Sequence, residues 1–204
     1  AVGVGQFSHS YTYDAIGNLT DYAGVAYTYS ATQPHAATAR GNDSYAYDAN
    51  GNMTARTVGG ASYTLTYDDE NRLTTVTGPS TSAAFLYDAD GNRVLATVNG
   101  TTTAYVAGQF EYTAGGASTS YYGGAVMRRS SYGSGNGVFY VLDDHLHSTS
   151  AIVDTSGAVQ AQQYYYPYGA NREDAHPSWI REKGLALCRA NTRHTGFGQR
   201  YLCH

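Results

Sequence analysis

Apolar and polar residues alternate with a period of two along most of the chain. Ahead of Tyr67, the residues Tyr63, Leu65 and Tyr67 fall on one face of an extended segment, and Thr64 and Thr66 on the other. Such alternation in aromatic and β-branched residues marks a half-buried strand. Asp-x-x-Gly comes next in most copies of this pattern. Asp suits the first position of a type I turn, because its carboxylate accepts backbone N–H groups just ahead. Gly supplies the positive φ of a turn combined with a bulge. After the turn the alternation resumes, with Leu73, Thr75 and Thr77 set against Thr74 and Val76. Gly78-Pro79-Ser80 then turns the chain back. Each unit predicts a β-hairpin.

The unit repeats. Tyr47-Asp48-Ala49-Asn50-Gly51-Asn52-Met53-Thr54 is followed by Tyr67-Asp68-Asp69-Glu70-Asn71-Arg72-Leu73-Thr74 and by Tyr87-Asp88-Ala89-Asp90-Gly91-Asn92-Arg93-Val94, at equal steps (67 − 47 = 20; 87 − 67 = 20). Tyr13-Asp14-Ala15-Ile16-Gly17-Asn18-Leu19-Thr20 has the same frame, and a degenerate copy without the Asp begins at Tyr29-Ser30. A repeat of this length means one supersecondary unit per copy, stacked beside its neighbours. The predicted turn residues are Asp14, Gly17, Asp48, Gly51, Asp68, Asn71, Asp88 and Gly91. Asn71 stands where the other copies have Gly, and Asn is the next most tolerant residue for a left-handed position. Tyr13, Tyr47, Tyr67 and Tyr87 are expected to form a ladder, at equivalent positions on one face of neighbouring hairpins.

The expected fold class is therefore all-β: an antiparallel β-hairpin repeat array, curved or partly spiralled, with a short irregular or helical C-terminal tail. Three regions follow from the pattern. Residues 1–100 are the hairpin array, opened by a leading strand that holds Phe7 and Tyr11. Residues 101–170 continue the β structure with looser, Gly-rich turns. Here Phe139–Leu142 and Ala151–Asp154 read as strands, Asp143–Ser150 as a connector, Thr155–Gly157 as a turn and Ala158–Tyr164 as a return strand. Pro167 marks a sheet edge or exit. Residues 171–204 form the tail, where Lys and Arg become frequent. Trp179–Arg189 suits a short helix with Ser178 as its N-cap.

Composition narrows the function. The 204 residues include 21 Tyr and 24 Gly against 5 Phe and 1 Trp. Tyr offers a large apolar ring with a polar tip, suited to a sheet face that is packed yet wet at its margin. Only 14% of residues are charged and the net charge is −4, with no basic stripe, which argues against a nucleic-acid partner. No apolar run approaches a membrane span. Ala1-Val2-Gly3-Val4-Gly5 shows neither an initiator Met nor a signal-peptide pattern, so a processed chain or a piece of a longer one is expected.

Candidate chemistry is sparse. Asp143, Asp144, His145, His147 and Ser148 offer acid, base and nucleophile, but a triad needs members converging from three directions, and near-consecutive residues on one connector do not supply that. Asp88-Ala89-Asp90-Gly91-Asn92 opens like a calcium loop. The twelfth position needs Glu and holds Asn99, and the same position counted from Asp48 holds Gly59. Cys188, His194, Cys203 and His204 match no common zinc spacing. No cofactor or metal is expected, and no catalytic residue is assigned. A Cys188–Cys203 disulfide is a candidate that export would permit, closing a loop worth about 3 kcal/mol in the chain-entropy model. Asn18, Asn42, Asn52 and Asn99 each begin Asn-x-Ser/Thr. The Tyr rows could stack on sugars, so glycans are a candidate partner alongside cross-strand packing.

These repeats resemble the YD-repeat, or Rhs-repeat, family. The stronger part of the likeness is Leu142-Asp143-Asp144-His145-Leu146-His147-Ser148-Thr149 followed by Tyr165-Tyr166-Pro167-Tyr168-Gly169, which is similar to the Rhs-associated core motif. Pro34-His35-Ala36 fits as well. The likeness covers roughly residues 10–170. It departs at His147, where the family has Gly, and it ends after Thr195–Tyr201, short of the core's self-cleavage site and any toxin domain. In the family such repeats spiral into a hollow β shell or barrel whose wall is not catalytic; relatives include bacterial polymorphic toxins, toxin-complex shells and teneurins. The resemblance implies a non-catalytic structural protein, extracellular or on a bacterial cell surface. Wall or filament material is the expected role, because a sheet with two open edges would add identical chains head to tail; the alternative is a fragment of a closed Rhs shell around a toxin domain. A carbohydrate-binding surface module is a third expectation.

Overall fold

The computed structural model describes residues 9–165 and 171–173. The chain divides into two compact units, Ala1–Thr102 and Thr103–His204. In the first unit the strands are β1 (Tyr11–Tyr13), β2 (Leu19–Tyr22), β3 (Val25–Tyr29), β4 (Ala37–Arg40), β5 (Asp43–Tyr47), β6 (Met53–Val58), β7 (Ala61–Tyr67), β8 (Leu73–Gly78), β9 (Thr81–Tyr87) and β10 (Arg93–Val98). Each pairs antiparallel with the next. β11 (Thr101–Val106) leads into the second unit. There it pairs with β12 (Phe110–Thr113), and the ladder runs on through β13 (Ser118–Tyr122), β14 (Val126–Ser130), β15 (Gly137–Asp143), β16 (Thr149–Asp154) and β17 (Val159–Gln162). The fold is an all-β antiparallel hairpin array. Among the described residues the only helical element is one 3-10 turn at Gly133–Gly135.

Two positions differ from the sequence expectation. Asn171–Glu173 is a strand, β19, paired with β18 (Tyr164–Tyr165), where an irregular or helical tail was expected to begin. The segment Asp143–Ser150, expected as a connector, is the end of a hairpin: Asp144–Ser148 is the closed turn, and Asp143 and Thr149-Ser150 belong to β15 and β16. The expected helix at Trp179–Arg189, the cysteines Cys188 and Cys203, and most of the leading strand lie outside the described residues.

The return strands do not keep the simple alternation that the sequence suggests. Tyr67 pairs with Leu73 but Thr66 pairs with Thr75, so Thr74 is an extra residue in β8. The same one-residue bulge follows the turn at Thr20, Thr38, Thr54, Val94, Ser150 and Gln160. A bulge reverses the facing of everything beyond it. Leu65 is therefore opposite Val76, both buried, and Thr75 and Thr77 face the other way. This corrects the grouping of Leu73 with Thr75 and Thr77. It also accounts for the Thr that ends the repeat. The bulge hydroxyls of Thr74, Thr54 and Ser150 donate to the facing carbonyls of Thr66, Ala46 and Leu142 at 3.1, 3.4 and 3.1 Å. Each hydroxyl thus adds a hydrogen bond across the strand pair at the bulge.

At their far ends the hairpins close on two-residue turns. Both central residues have positive φ at Ala23-Gly24 (53° and 84°), Gly59-Gly60 (57° and 82°), Asn99-Gly100 (49° and 81°), Ala107-Gly108 (51° and 65°) and Gly123-Gly124 (60° and 80°). That is the type I′ geometry whose twist matches antiparallel strands. Ala is costly there because its Cβ crowds the following carbonyl. Ala107→Asn should therefore raise the stability of the second unit by about 0.5–1 kcal/mol. A thermal melt reads this directly, and an unchanged or lower midpoint would contradict it.

In the first unit the core is a row on one sheet face. Leu65, Val76, Ala83, Phe85 and Ala96 are all buried, with Leu65 opposite Val76, Val76 opposite Ala83 and Phe85 opposite Ala96. In the second unit Met127, Phe139, Ile152 and Ala161 form the core, with Tyr121 and Val141 packed against it.

Candidate functional site

The Asp-turn ends of the hairpins hold the structure's most regular polar arrangement. At Asp68, Oδ1 accepts from the N–H groups of Glu70 and Arg72 at 3.1 and 2.8 Å, while the Asn71 N–H donates to the Asp68 carbonyl at 2.9 Å. Asp14, Asp48, Asp88, Asp144 and Asp154 make the same pair of carboxylate contacts, to the N–H groups two and four residues ahead. The residue three after each Asp is left-handed: Gly17 at 87°, Gly51 at 83°, Asn71 at 60°, Gly91 at 79°, His147 at 61° and Gly157 at 83°. His147 thus occupies the Gly position of the frame and closes the same turn. Sequence reasoning did not place Asp144 and Asp154 in this frame, because neither follows a Tyr. Their spacing to His147 and Gly157 was the signal available.

The carboxylates are held below their ordinary range. For Asp48 and Asp88 the leading cause is the side-chain hydrogen bond from Asn52 and Asn92, and for Asp154 the one from Ser156. For Asp144 it is the Ser148 N–H. At Asp14 and Asp68 desolvation pulls upward, but the combined hydrogen bonds, joined at Asp68 by the Arg72 guanidinium, outweigh it. A carboxylate whose pKa falls on folding stabilises the fold above its unfolded pKa. That contribution is lost as pH drops through the folded value. The melting temperature should hold down to the ordinary aspartate value of 3.8 and fall as pH drops below it. Asp68→Asn should flatten that acid limb and lower the plateau at neutral pH. An acid limb identical to the parent's would contradict the role assigned to Asp68.

A second regular feature joins each hairpin to the one before. The Tyr87 hydroxyl donates to the Leu73 carbonyl at 2.8 Å, Tyr67 to Met53 at 3.0 Å, Tyr47 to Ala37 at 2.9 Å and Tyr29 to Leu19 at 2.8 Å. In the second unit Tyr165 donates to Thr149 at 3.0 Å. The donor is always the last residue of its strand and the acceptor always the first residue of an earlier return strand. The reason lies in the ladder. Ala37, Met53 and Leu73 pair with the strand before them but not with the strand after, because the sheet opens between hairpins at this end. The phenol reaches into the gap and satisfies the open carbonyl. Burial pushes the Tyr47 phenol up to about 12, and raises Tyr29 and Tyr165 as well. Tyr13, the first rung expected, is exposed, opposite Leu19.

The turns also bond to one another. Asn18 Nδ2 donates to the Pro34 carbonyl at 2.8 Å, Gln33 Nε2 to the Asp48 carbonyl at 2.8 Å, Asn52 Nδ2 to Asn71 Oδ1 at 2.7 Å and Arg72 Nη1 to the Asp88 carbonyl at 3.2 Å. His35 Nδ1 lies 2.7 Å from Asn18 Oδ1, which places Pro34-His35 in the degenerate copy where an Asp turn stands elsewhere.

Asp143, Asp144, His145, His147 and Ser148 lie together at one hairpin turn between β15 and β16. The Asp144 carboxylate is taken up by the N–H groups of Leu146 and Ser148, and Asp143 accepts from the Thr149 hydroxyl at 3.1 Å. No group of three or more His, Cys, Asp or Glu side chains that could hold a metal ion is found among the described residues.

Comparison with known proteins follows this geometry. The RHS repeat family matches residues 47–83, the segment that holds the Asp48 and Asp68 turns and the Tyr67 tie. The chain carries an RHS repeat. No curated protein matches it. Among solved structures, one similar in part is a Photorhabdus luminescens Tc holotoxin pore with a mutated TccC3, at 15% identity and a TM-score of 0.47 over 80% of this chain and 12% of that one. A crystal structure of TcdB2-TccC3-TEV aligns at 18% identity and a TM-score of 0.45, over 80% of this chain and 12% of that one. This chain therefore spans about an eighth of the length of the structures it matches. In this chain the matched segment comprises the hairpins with their Asp turns, the bulge after each and the Tyr67 tie to the preceding hairpin.

Proposed function

We propose that this chain is non-catalytic structural material, a stretch of wall in a larger RHS shell outside the cytoplasm. The observation that carries this reading is the directional tie between hairpins. Each hairpin with a terminal Tyr closes the open carbonyl of the one before it, so copies add in one sense and in one register. The turn carboxylates are consumed in holding their own backbone, which supports a supporting role over a reactive one. On this reading the partners are further RHS repeats, and the enclosed cargo of a complete shell would be a toxin domain.

Head-to-tail assembly of identical chains into a filament is the rival form of the same wall chemistry. Sedimentation velocity and electron microscopy at micromolar concentration separate the two. A discrete monomer or small oligomer is the result expected for wall segments. Long polymers of continuous sheet would overturn the shell reading in favour of a filament. Retention on insoluble cellulose or chitin would instead support a glycan-binding module, and stoichiometric labelling of Ser148 by a serine-directed probe would overturn the non-catalytic reading.

A further inference from the structure

The abundance of Tyr is only partly absorbed by the ties. Tyr11 in β1 and Tyr22 in β2 sit directly opposite each other in the ladder. Their rings stack with centroids 5.0 Å apart and planes 10° from parallel. The His9 ring meets Tyr22 edge-on at 5.3 Å, and His9 Nδ1 lies 3.2 Å from the Tyr22 hydroxyl oxygen. Both tyrosines are half-buried.

We propose that Tyr11 and Tyr22 are an oxidative cross-linking site, in which His9 takes the phenolic proton of Tyr22 and the two rings couple to dityrosine. Loss of one electron makes a phenol strongly acidic, so oxidation is fastest where a base already holds the proton's destination. With its hydrogen on Nε2, His9 presents Nδ1 as that base. Each ring loses one electron and one phenolic proton to give a neutral phenoxyl radical. The radicals join through a carbon ortho to each oxygen. The two ortho hydrogens then move to the oxygens and restore both phenols. The electrons and protons pass to hydrogen peroxide, reduced to two waters by a haem-peroxidase-type oxidant, which is the co-reactant the site requires. The new carbon–carbon bond would bridge β1 and β2 and close the first hairpin covalently.

Parallel stacking places the ortho carbons of the two rings on facing planes, the arrangement that radical coupling needs. Exposed tyrosines such as Tyr13 and Tyr122, 54% and 55% accessible, can couple only by collision with another chain unless a partner ring adjoins them. High dilution suppresses that route and leaves tyrosines already side by side within the chain, of which Tyr11 and Tyr22 are stacked.

The test treats the dilute chain with a haem peroxidase and limiting hydrogen peroxide. Expected is dityrosine fluorescence in a monomer lighter by two hydrogen atoms, with the cross-link mapped by tandem mass spectrometry to the peptides that contain Tyr11 and Tyr22. Tyr11→Phe and Tyr22→Phe should each abolish that cross-linked peptide. His9→Gln should slow its formation by about tenfold while the circular dichroism and melting temperature of the unoxidised chain stay unchanged. Dityrosine spread over other tyrosine pairs at equal yield, or none at all, would overturn the site. An undiminished rate in the His9→Gln variant would overturn the role of His9.

Discussion

Truncation of Phe85 to alanine should cost the first unit about 3–4 kcal/mol, the largest effect expected of any single substitution in the array. Phe85 is 5% exposed and lies opposite Ala96, itself 4% exposed. The large ring fills the space that the small partner leaves. Ala96 cannot grow into the vacancy, so the cavity term adds in full to the lost transfer free energy. The ring also carries the Arg93 guanidinium at 5.5 Å from its centroid, and that contact goes with it. Phe85→Leu keeps most of the volume and should cost no more than about 1.5 kcal/mol. Urea unfolding of the three proteins gives the comparison. A loss below about 1 kcal/mol for Phe85→Ala would show that the ring is not part of the core.

Gly78→Ala should cost about 2–3 kcal/mol although it adds a single methyl group. Gly78 ends β8 and lies beneath the Tyr63 ring; a Cβ there would sit 2.3 Å from Tyr63 Cδ1 and 2.5 Å from Cε1. Its φ is not in the left-handed region, so the cost is one of contact and not of backbone strain. The ring cannot yield cheaply, because it stacks under the Arg56 guanidinium at 4.9 Å and would have to leave that position. The distinguishing measurement is a double-mutant cycle. In a Tyr63→Ala background the alanine at Gly78 loses the ring atoms that crowd it, and its cost should shrink to about 0.5 kcal/mol. An undiminished cost in that background would place the strain in the backbone instead.

Both substitutions fall within or beside the repeat, yet only one was visible from the residue pattern. Phe85 lies on the apolar face of an alternating segment, so its burial could be read directly. Gly78 reads as a turn glycine in Gly78-Pro79-Ser80. Its contact with Tyr63 depends on two strands whose facing is set by the bulge at Thr74. The Asp turns divide in the same way. Those at Asp14, Asp48, Asp68 and Asp88 announce themselves through the preceding Tyr. The turns at Asp144 and Asp154 use identical hydrogen bonds without that marker, and His147 takes a backbone region in which Gly was expected.

The residues by themselves determined what local chemistry can determine: hairpins in sequence order, turns at each Asp-x-x-Gly, left-handed Gly17, Gly51 and Gly91 with Asn71 among them, and an all-β chain. Those properties follow from side-chain period and from φ preferences within a few residues. Only the tertiary structure decided how one hairpin meets the next. The bulges at Thr20, Thr54 and Thr74 and the side-chain bond from Asn52 to Asn71 each need two strands or turns at once, and the ties from Tyr47, Tyr67 and Tyr87 and the bond from Arg72 reach backbone carbonyls of a neighbouring hairpin. Which carbonyl is open is a property of two neighbouring strands together, and no single copy of the repeat contains it.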